Sequence, residues 1–312
     1  MSNEIEQALE KRLGTVHARQ RLGIEKDSEL RVFGGCLNFF HPENWYSGHA
    51  ILRYMLKLSG FYWWGRNNIL KHQLVHNDIQ IPGLPNSVDG YTLLHLSDLH
   101  VDMSTKATQV LIEKIKTLEY DVCILTGDYR ARTSGPIEAT MLGMQELFTH
   151  LKSPVYAVLG NHDSIRMVPE LEQAGMRFLI NEAIEIKQQD QSIYLAGIDD
   201  AHYYRVDNIE KAAEQIPTDK VSIILSHTPE VYRQAAHAGF DLLFCGHTHG
   251  GQICLPGGIP VTLDAKCPRR MGSGTWQYHN LTGYTSRGAG TCIVDVRLNC
   301  PPEITLHQLR CG

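Results

Sequence analysis

The 312-residue chain has no apolar run long enough to cross a bilayer; its best stretch, residues 50–64, is broken by Arg53 and Lys57. Nor does it carry a cationic excess, since 29 Lys and Arg stand against 34 Asp and Glu for a formal charge of -5. That balance argues against a protein that holds nucleic acid mainly through charge, so nucleic acid is not an expected partner. The eight cysteines include no C-x-x-C pair, and no secretory leader is read ahead of them. The expectation is therefore reduced thiols in a cytoplasmic protein rather than a disulfide framework. Cys123 and Cys245 lie inside apolar runs like small buried hydrophobes, and the spacing of Cys254, Cys267, Cys300 and Cys311 gives a structural zinc little support. Internal repeats are absent as well, and the 43% hydrophobic share is ordinary for a globular chain.

The first thirty residues contain no aromatic side chain and many charges, so residues 4–21 read as an exposed helix or a mobile arm. Composition then shifts. Trp45, Trp63 and Trp64 fall close to Tyr46, Tyr54, Phe61 and Tyr62, around a helical pattern in which Ile51, Met55 and Leu58 share a face with Leu52 and Leu56 beside them. Ser47 is a candidate cap for that helix and Gly60 its stop. Pro82, Gly83 and Pro85 mark the entry to a second region, giving an expected division into an N-terminal extension, 1–86, and a main domain, 87–312. From residue 92 strands and helices alternate: strands at 92–96, 122–126 and 155–159, helices at 104–118 and 136–151. A hairpin at 184–198, strands at 221–225 and 242–245 around a helix at 229–238, and period-2 strands at 292–298 and 303–309 complete the reading. This alternation favours a layered α/β domain with its reactive loops at the strand carboxyl ends.

Five short polar clusters sit at the ends of these apolar runs: Asp98-Leu99-His100, Gly127-Asp128, Gly160-Asn161-His162-Asp163, Ser226-His227 and Gly246-His247-Thr248-His249. Taken singly, each has a bland reading as a helix cap, a turn or a hydrogen-bonded histidine. Jointly they offer two carboxylates, an amide oxygen and several imidazoles, the donors that two adjacent divalent ions require.

The order D-x-H, G-D, G-N-H-D, H, G-H-x-H resembles the signature of the calcineurin-like metallophosphoesterases, over a stretch from about residue 84 to the C-terminus. Ser226-His227-Thr228-Pro229-Glu230, Gly250-Gly251-Gln252 after His249, Ser286-Arg287-Gly288 and Asn299-Cys300-Pro301-Pro302-Glu303-Ile304 are similar to a bacterial branch containing UDP-diacylglucosamine pyrophosphatase. The resemblance implies a four-layer sandwich of two mixed β-sheets flanked by helices. It also implies two divalent ions, drawn from Mn, Zn, Fe or Co, the first held by Asp98, His100, Asp128 and His249. Asp128, Asn161, His227 and His247 would hold the second. The implied chemistry is attack by a metal-activated hydroxide on a phosphodiester or pyrophosphate, with His162 as general acid and Asp163 orienting its ring. A phosphate-ester small molecule or a lipid-linked nucleotide sugar is the expected substrate. The alternatives are a nucleotide or cyclic-nucleotide phosphodiesterase and a non-catalytic scaffold of the same fold, which the full ligand set disfavours.

Arg130, just past a ligand, is read either as a contact for an anionic substrate group or as half of a structural ion pair. Arg132, Arg269, Arg270 and Arg287 read as surface or loop residues. For the aromatic segment 45–64 the commoner role is a helix packed on the core with its tryptophans buried. The other role is peripheral contact with a lipid headgroup layer, which would place the protein at the inner membrane. Many members of the branch begin with a membrane anchor, and this chain departs from that pattern.

Overall fold

The computed structural model describes residues 2–33 and 46–312, so Cys36, Trp45 and the side chain expected of a Ser47 cap lie outside what is described. In chain order come α1 (Ser2–Leu13), α2 (Thr15–Phe33), α3 (Tyr46–Leu58), α4 (Phe61–Asn68), β1 (Gln73–Ile81), β2 (Thr92–Leu96) and α5 (Thr105–Ile115). They are followed by β3 (Val122–Leu125), α6 (Glu138–Phe148), β4 (Val155–Ala157), α7 (Val168–Gln173), β5 (Arg177–Phe178), β6 (Glu182–Gln188) and β7 (Gln191–Gly197). The rest are α8 (Ile209–Ala213), β8 (Ser222–Leu225), α9 (Tyr232–His237), β9 (Leu242–Cys245), β10 (Cys254–Leu255), β11 (Ile259–Pro260), β12 (Gly274–Tyr278), β13 (Leu281–Thr285) and β14 (Glu303–Cys311).

Two six-stranded sheets, ordered β1-β14-β2-β3-β4-β5 and β12-β13-β9-β8-β7-β6, stack on each other. Period-2 alternation within the short strands builds the layers. Val122 and Ile124 of β3 meet Ile223, Leu225, Leu242 and Phe244 of β8 and β9 between the sheets. Their alternates Cys123 and Leu125 face α5 and α6, while Ile224, Leu243 and Cys245 face α8 and α9. The result is the expected four-layer α/β sandwich. Within each sheet the central strands run parallel, so their carboxyl ends gather on one edge.

Described residues before 87 contribute to these layers. β1 pairs in parallel with β14 along its full length, and Leu9, Leu13 and Ala18 are buried in the helix-side core. The stretch 4–21 is thus a docked helical segment with one face buried and the other exposed, not a free arm. Ile5, Leu9 and Leu13, four residues apart, form an apolar stripe that the composition obscured. Arg12 fixes that helix by ion pairs to Glu172 and Glu182. A second expectation also fails: residues 292–298 form no strand and touch the β10 segment through one isolated bridge, Ile253 to Leu298. Their alternation is real, but the apolar set Val294, Val296 and Leu298 packs on Leu56 and Tyr62 of the α3–α4 pair instead of joining a sheet. Gly65 of α4 makes that approach close, since a Cβ there would lie 2.8 Å from Val296. Ser104 caps α5, and Gly60, at φ 77°, separates α3 from α4.

Between the sheets lies a buried histidine pair, His95 Nδ1 to His307 Nε2 at 3.2 Å, with His95 Nε2 at 2.8 Å from the Thr126 hydroxyl. Burial lowers the His95 pKa to about 3. The unfolded chain takes up this proton near pH 6.5 while the folded chain does not, so stability is lost as pH falls below 6.5. At pH 5 the loss from His95 is on the order of 2 kcal/mol. His95→Gln is expected to shrink the fall in unfolding free energy between pH 7 and 5 by about that amount, measured by urea titration. Equal falls in both proteins would mean that native His95 is already protonated.

Candidate metal centre

Each polar cluster leaves the carboxyl end of a strand: Asp98 and His100 after β2, Asp128 after β3, Asn161 after β4, His227 after β8, His247 and His249 after β9. The turns are tight. Asp98, His100, Asp128, His247 and His249 all have left-handed φ, between 40° and 71°, which non-glycine residues rarely adopt. Such strain is characteristic of sites where geometry is imposed for function. Glycines permit the close approaches: a Cβ on Gly246 would fall 1.8 Å from Ser97 Oγ and 2.3 Å from Asp98 Oδ2, and one on Gly160 2.2 Å from Asp128 Oδ1.

All seven predicted ligands converge. His100 Nε2 lies 3.2 Å from His249 Nε2, and His227 Nε2 lies 3.0 Å from Asn161 Oδ1, 3.3 Å from Asp128 Oδ2 and 3.2 Å from His247 Nδ1. Asp98 Oδ1 is 3.4 Å from His249 Nε2. His100 Nδ1 donates to the Arg130 carbonyl at 2.6 Å and His227 Nδ1 to the Thr126 carbonyl at 2.7 Å. Those bonds set the tautomers, leaving both Nε2 lone pairs aimed into the cluster. Around His227 Nε2, acceptor thus faces acceptor, an arrangement that needs a cation or a proton between them. His247 Nε2 is buried and, among the described residues, has no hydrogen-bond partner. Burial drives His100, His247 and His249 toward the neutral form, the one that ligates. Burial lowers His227 too, but Asp128 outweighs it and raises that pKa to about 10, so the two buried carboxylates demand positive charge beside them. Asp128 belongs both to a group with His100 and His162 and to one with His227 and His247. The donor set fits divalent cations.

Two predicted roles change, those of Asp163 and Arg130. His162 is in the cleft wall, but its ring is held by Nδ1 donating to the Ala131 carbonyl at 3.0 Å, not by Asp163. Asp163 instead accepts from the backbone N–H groups of Asp128 (2.7 Å), Gly160 (2.8 Å) and Tyr129 (2.8 Å). It ties the loops after β3 and β4 together, and burial raises its pKa to about 6. Arg130 is buried and, among the described residues, has no ion-pair partner. Its buried guanidinium donates to the carbonyls of His162, Thr133 and Gly135.

Several site residues escaped the sequence reading. Cys292 Sγ lies 3.8 Å from His162 Nε2 and groups with His100 and His249. The His202 ring sits 4.2 Å from that of His247 and bonds Glu230 at 3.1 Å. Arg297, fully buried, donates to the carbonyls of His249 (3.2 Å) and Gly288 (3.1 Å). No local motif marks any of them; the misread stretch 292–298 concealed Cys292 and Arg297. Among the described residues, the four cysteines considered for zinc form no metal-binding group, and no disulfide joins two cysteines.

The cleft has a volume of about 150 Å³ and an apolar wall of Leu52, Ile253, Ile293 and Val294 facing the histidines. Outside it the α3–α4 face reverses the packed-helix expectation. Ile51, Tyr54, Met55, Leu58, Phe61, Trp63 and Trp64 are 45–67% exposed, while Leu56, Tyr62 and Gly65 are buried. Leu255, Ile259 and Val261 of the β10–β11 hairpin beside the cleft are exposed as well. Among the described residues no helix is long and apolar enough to cross a membrane.

Comparison with known proteins agrees with this geometry. A family model described as calcineurin-like phosphoesterase matches residues 91–251, an interval that holds all seven ligands. The chain is 30% identical over 227 residues to the Bacillus subtilis uncharacterized metallophosphoesterase YkoQ, covering 70% of this chain and 83% of that one. A transmembrane protein with metallophosphoesterase domain from Bos taurus is 28% identical over 251 residues, 73% of this chain and 55% of its own length. The phosphodiesterase YaeI of Escherichia coli is 26% identical over 237 residues, 70% and 82% of the two chains.

The fit at Gly246 is testable. Gly246→Ala is expected to cost about 3 kcal/mol in urea unfolding of the metal-free chain, because the methyl group meets Ser97 and Asp98. Gly257→Ala, at φ 88° but in open space, is expected to cost only about 1 kcal/mol. Equal costs would mean that the ligand loop opens to admit a methyl group.

Proposed function

The chain belongs to the calcineurin-like phosphoesterase family and is a metal-dependent phosphoric ester hydrolase, and on that premise we propose that it cleaves a phosphodiester or pyrophosphate bond in an amphiphilic, lipid-linked substrate. Asp98, His100, Asp128 and His249 would hold one divalent ion, and Asp128, Asn161, His227 and His247 would hold a second. When bound, the two ions activate the attacking water and neutralise the phosphoryl oxygens. His162 donates a proton from Nε2 to the leaving oxygen; its Nδ1 stays on the Ala131 carbonyl, which fixes the ring plane. Arg130 holds the His162 carbonyl and Asp163 the backbone of Asp128, so both keep the donor and the ligand in register.

The observation that carries the substrate class is the continuity of apolar surface from the cleft to the exterior. Leu52 of α3 lines the cleft beside Ile293 and Val294, and the same helix pair presents Trp63, Trp64 and Phe61 to solvent. Exposed apolar surface of this extent marks an interaction site, and aromatics with Lys57 and Arg66 on the same pair suit a headgroup layer. A phosphoester head reaches the histidines while its chains lie along α3. A lipid-linked nucleotide sugar fits this description, and the diesterase named among the relatives supports a diester-type bond.

After chelation and readdition of Mn²⁺, Zn²⁺, Mg²⁺ or Co²⁺, the protein is expected to cleave bis(p-nitrophenyl) phosphate faster than p-nitrophenyl phosphate. His162→Ala should keep two metals per chain by elemental analysis and lose about 10²–10⁴-fold in turnover. Unchanged turnover with metals intact removes His162 from the mechanism. In flotation with anionic liposomes at low salt the protein is expected to rise with the lipid. Replacing Trp63 and Trp64 with Ser should weaken that association at least about tenfold. A protein that stays at the bottom, and cleaves acylated and deacylated substrates equally well, would be a hydrolase of free nucleotide esters.

A further inference from the structure

The arm formed by α1 and α2 reaches the back of the metal centre through one buried network. Arg21 of α2 has no exposed surface; its Nη2 donates to the Asp163 carbonyl at 2.8 Å and its Nε to Glu25 Oε1 at 3.0 Å. Its Nη1 lies 3.4 Å from Asp199 Oδ1, and its guanidinium carbon stacks 3.5 Å from the centre of the Tyr204 ring. Glu25 in turn accepts from Ser164 Oγ and from the Ile165 N–H, both at 2.8 Å. Two residues of the arm therefore grip residues 163–165, the direct continuation of Asn161 and His162.

The same guanidinium reaches a second loop. Asp199 precedes Asp200, whose carboxylate caps the N–H groups of Tyr203 (2.7 Å) and Tyr204 (2.6 Å), and the His202 between them packs on His247. Arg21 thus joins one loop from the first sheet, carrying Asn161 and His162, to one from the second sheet, bearing on His247. Adhesion alone gives little reason for this arrangement. Leu9, Leu13 and the Arg12 ion pairs already attach the arm, and a fully buried ion network gains little stability over apolar side chains of similar volume.

We propose that Arg21 and Glu25 are positioning residues of the active site: the N-terminal arm holds the Asn161–His162–Asp163 turn and the Asp199–Tyr204 turn at the spacing the metal centre requires. The causal path is short. Arg21 fixes the Asp163 backbone, and the Asp163 carboxylate fixes the N–H groups of Asp128 and Gly160. Displacing that turn by about 1 Å moves Asn161 and His162 together, a shift of a size that costs on the order of 10²-fold in rate.

The experiment compares Arg21→Met, Arg21→Lys and Glu25→Gln with Arg12→Gln, all in the full-length chain loaded with metal and assayed on bis(p-nitrophenyl) phosphate. Arg12→Gln removes an arm-to-body ion pair that does not touch the catalytic turns, so it is expected to lower the Tm and leave kcat unchanged. Arg21→Met is expected to lower kcat by about 10- to 100-fold with KM within about twofold, and Arg21→Lys to recover part of the loss. Hydrogen exchange gives a readout independent of activity: amides of residues 160–165 should lose protection in Arg21→Met and Glu25→Gln but keep it in Arg12→Gln. Should Arg21→Met fail to fold, Glu25→Gln, which keeps the side-chain volume, decides by the same two readouts. Equal kcat and equal protection of residues 160–165 across the set would reduce the arm to a structural attachment and overturn the proposal.

Discussion

Asp128 is where the constraints of the fold meet. Its Oδ1 accepts from the His162 N–H at 2.9 Å, its carbonyl from the His100 N–H at 3.1 Å, and its Oδ2 faces His227 at 3.3 Å. Its own N–H is taken by Asp163. Every cluster that contributes a ligand from the first sheet is bonded to this residue, and the second sheet reaches it through His227. A buried carboxylate is costly without positive charge and donors around it, so the loops cannot drift apart without leaving it unpaired. That requirement sets the spacing of the sheets at this edge more firmly than the apolar contacts behind it.

The backbone meets the requirement at a cost. A left-handed residue other than glycine costs about 1–2 kcal/mol, and five of the seven ligands are in that region. The short parallel strands sustain it because β3, β8 and β9 are buried on both faces. These four-residue strands end abruptly, and a ligand side chain follows within three residues of each strand end. The glycines before Asp128, Asn161 and His247 follow from this crowding, since a side chain at any of them collides with the neighbouring loop.

This explains what a sequence can and cannot reveal here. The ligands were legible because each stands directly after an apolar run whose length and alternation mark a buried strand, and because the glycine beside it has a steric reason. The layers were legible from the same runs, β2 and β9 to the residue. The arm was not: Arg21 and Glu25 look like any i,i+4 pair on a solvated helix, and only burial across 142 residues of chain reveals the contact with Asp163. Residues 292–298 misled for the converse reason. Alternating apolar residues need one dry face, and a helix pair supplies it as well as a sheet does. The carboxylate of Asp163 was adjacent to His162 in sequence, yet the turn points the two side chains to different partners.

The arginines complete the physical picture. From position alone Arg130 was read either as an anion contact or as half of an ion pair, and nothing in the sequence singled out Arg21 or Arg297. All three are buried, and all three donate to backbone carbonyls of ligand loops: Arg130 to His162, Arg21 to Asp163, Arg297 to His249 and Gly288. The reason lies in the turns themselves. A chain that leaves a strand in an irregular turn aims carbonyls away from any ladder, and buried carbonyls must find donors. A guanidinium offers five in one plane, remains charged when buried, and brings positive charge near Asp98, Asp128, Asp163 and Asp199. Lysine supplies the charge without the planar fork. The same demand for donors that shapes the loops therefore selects arginine behind them, and leaves the cleft itself to histidine, asparagine and carboxylate.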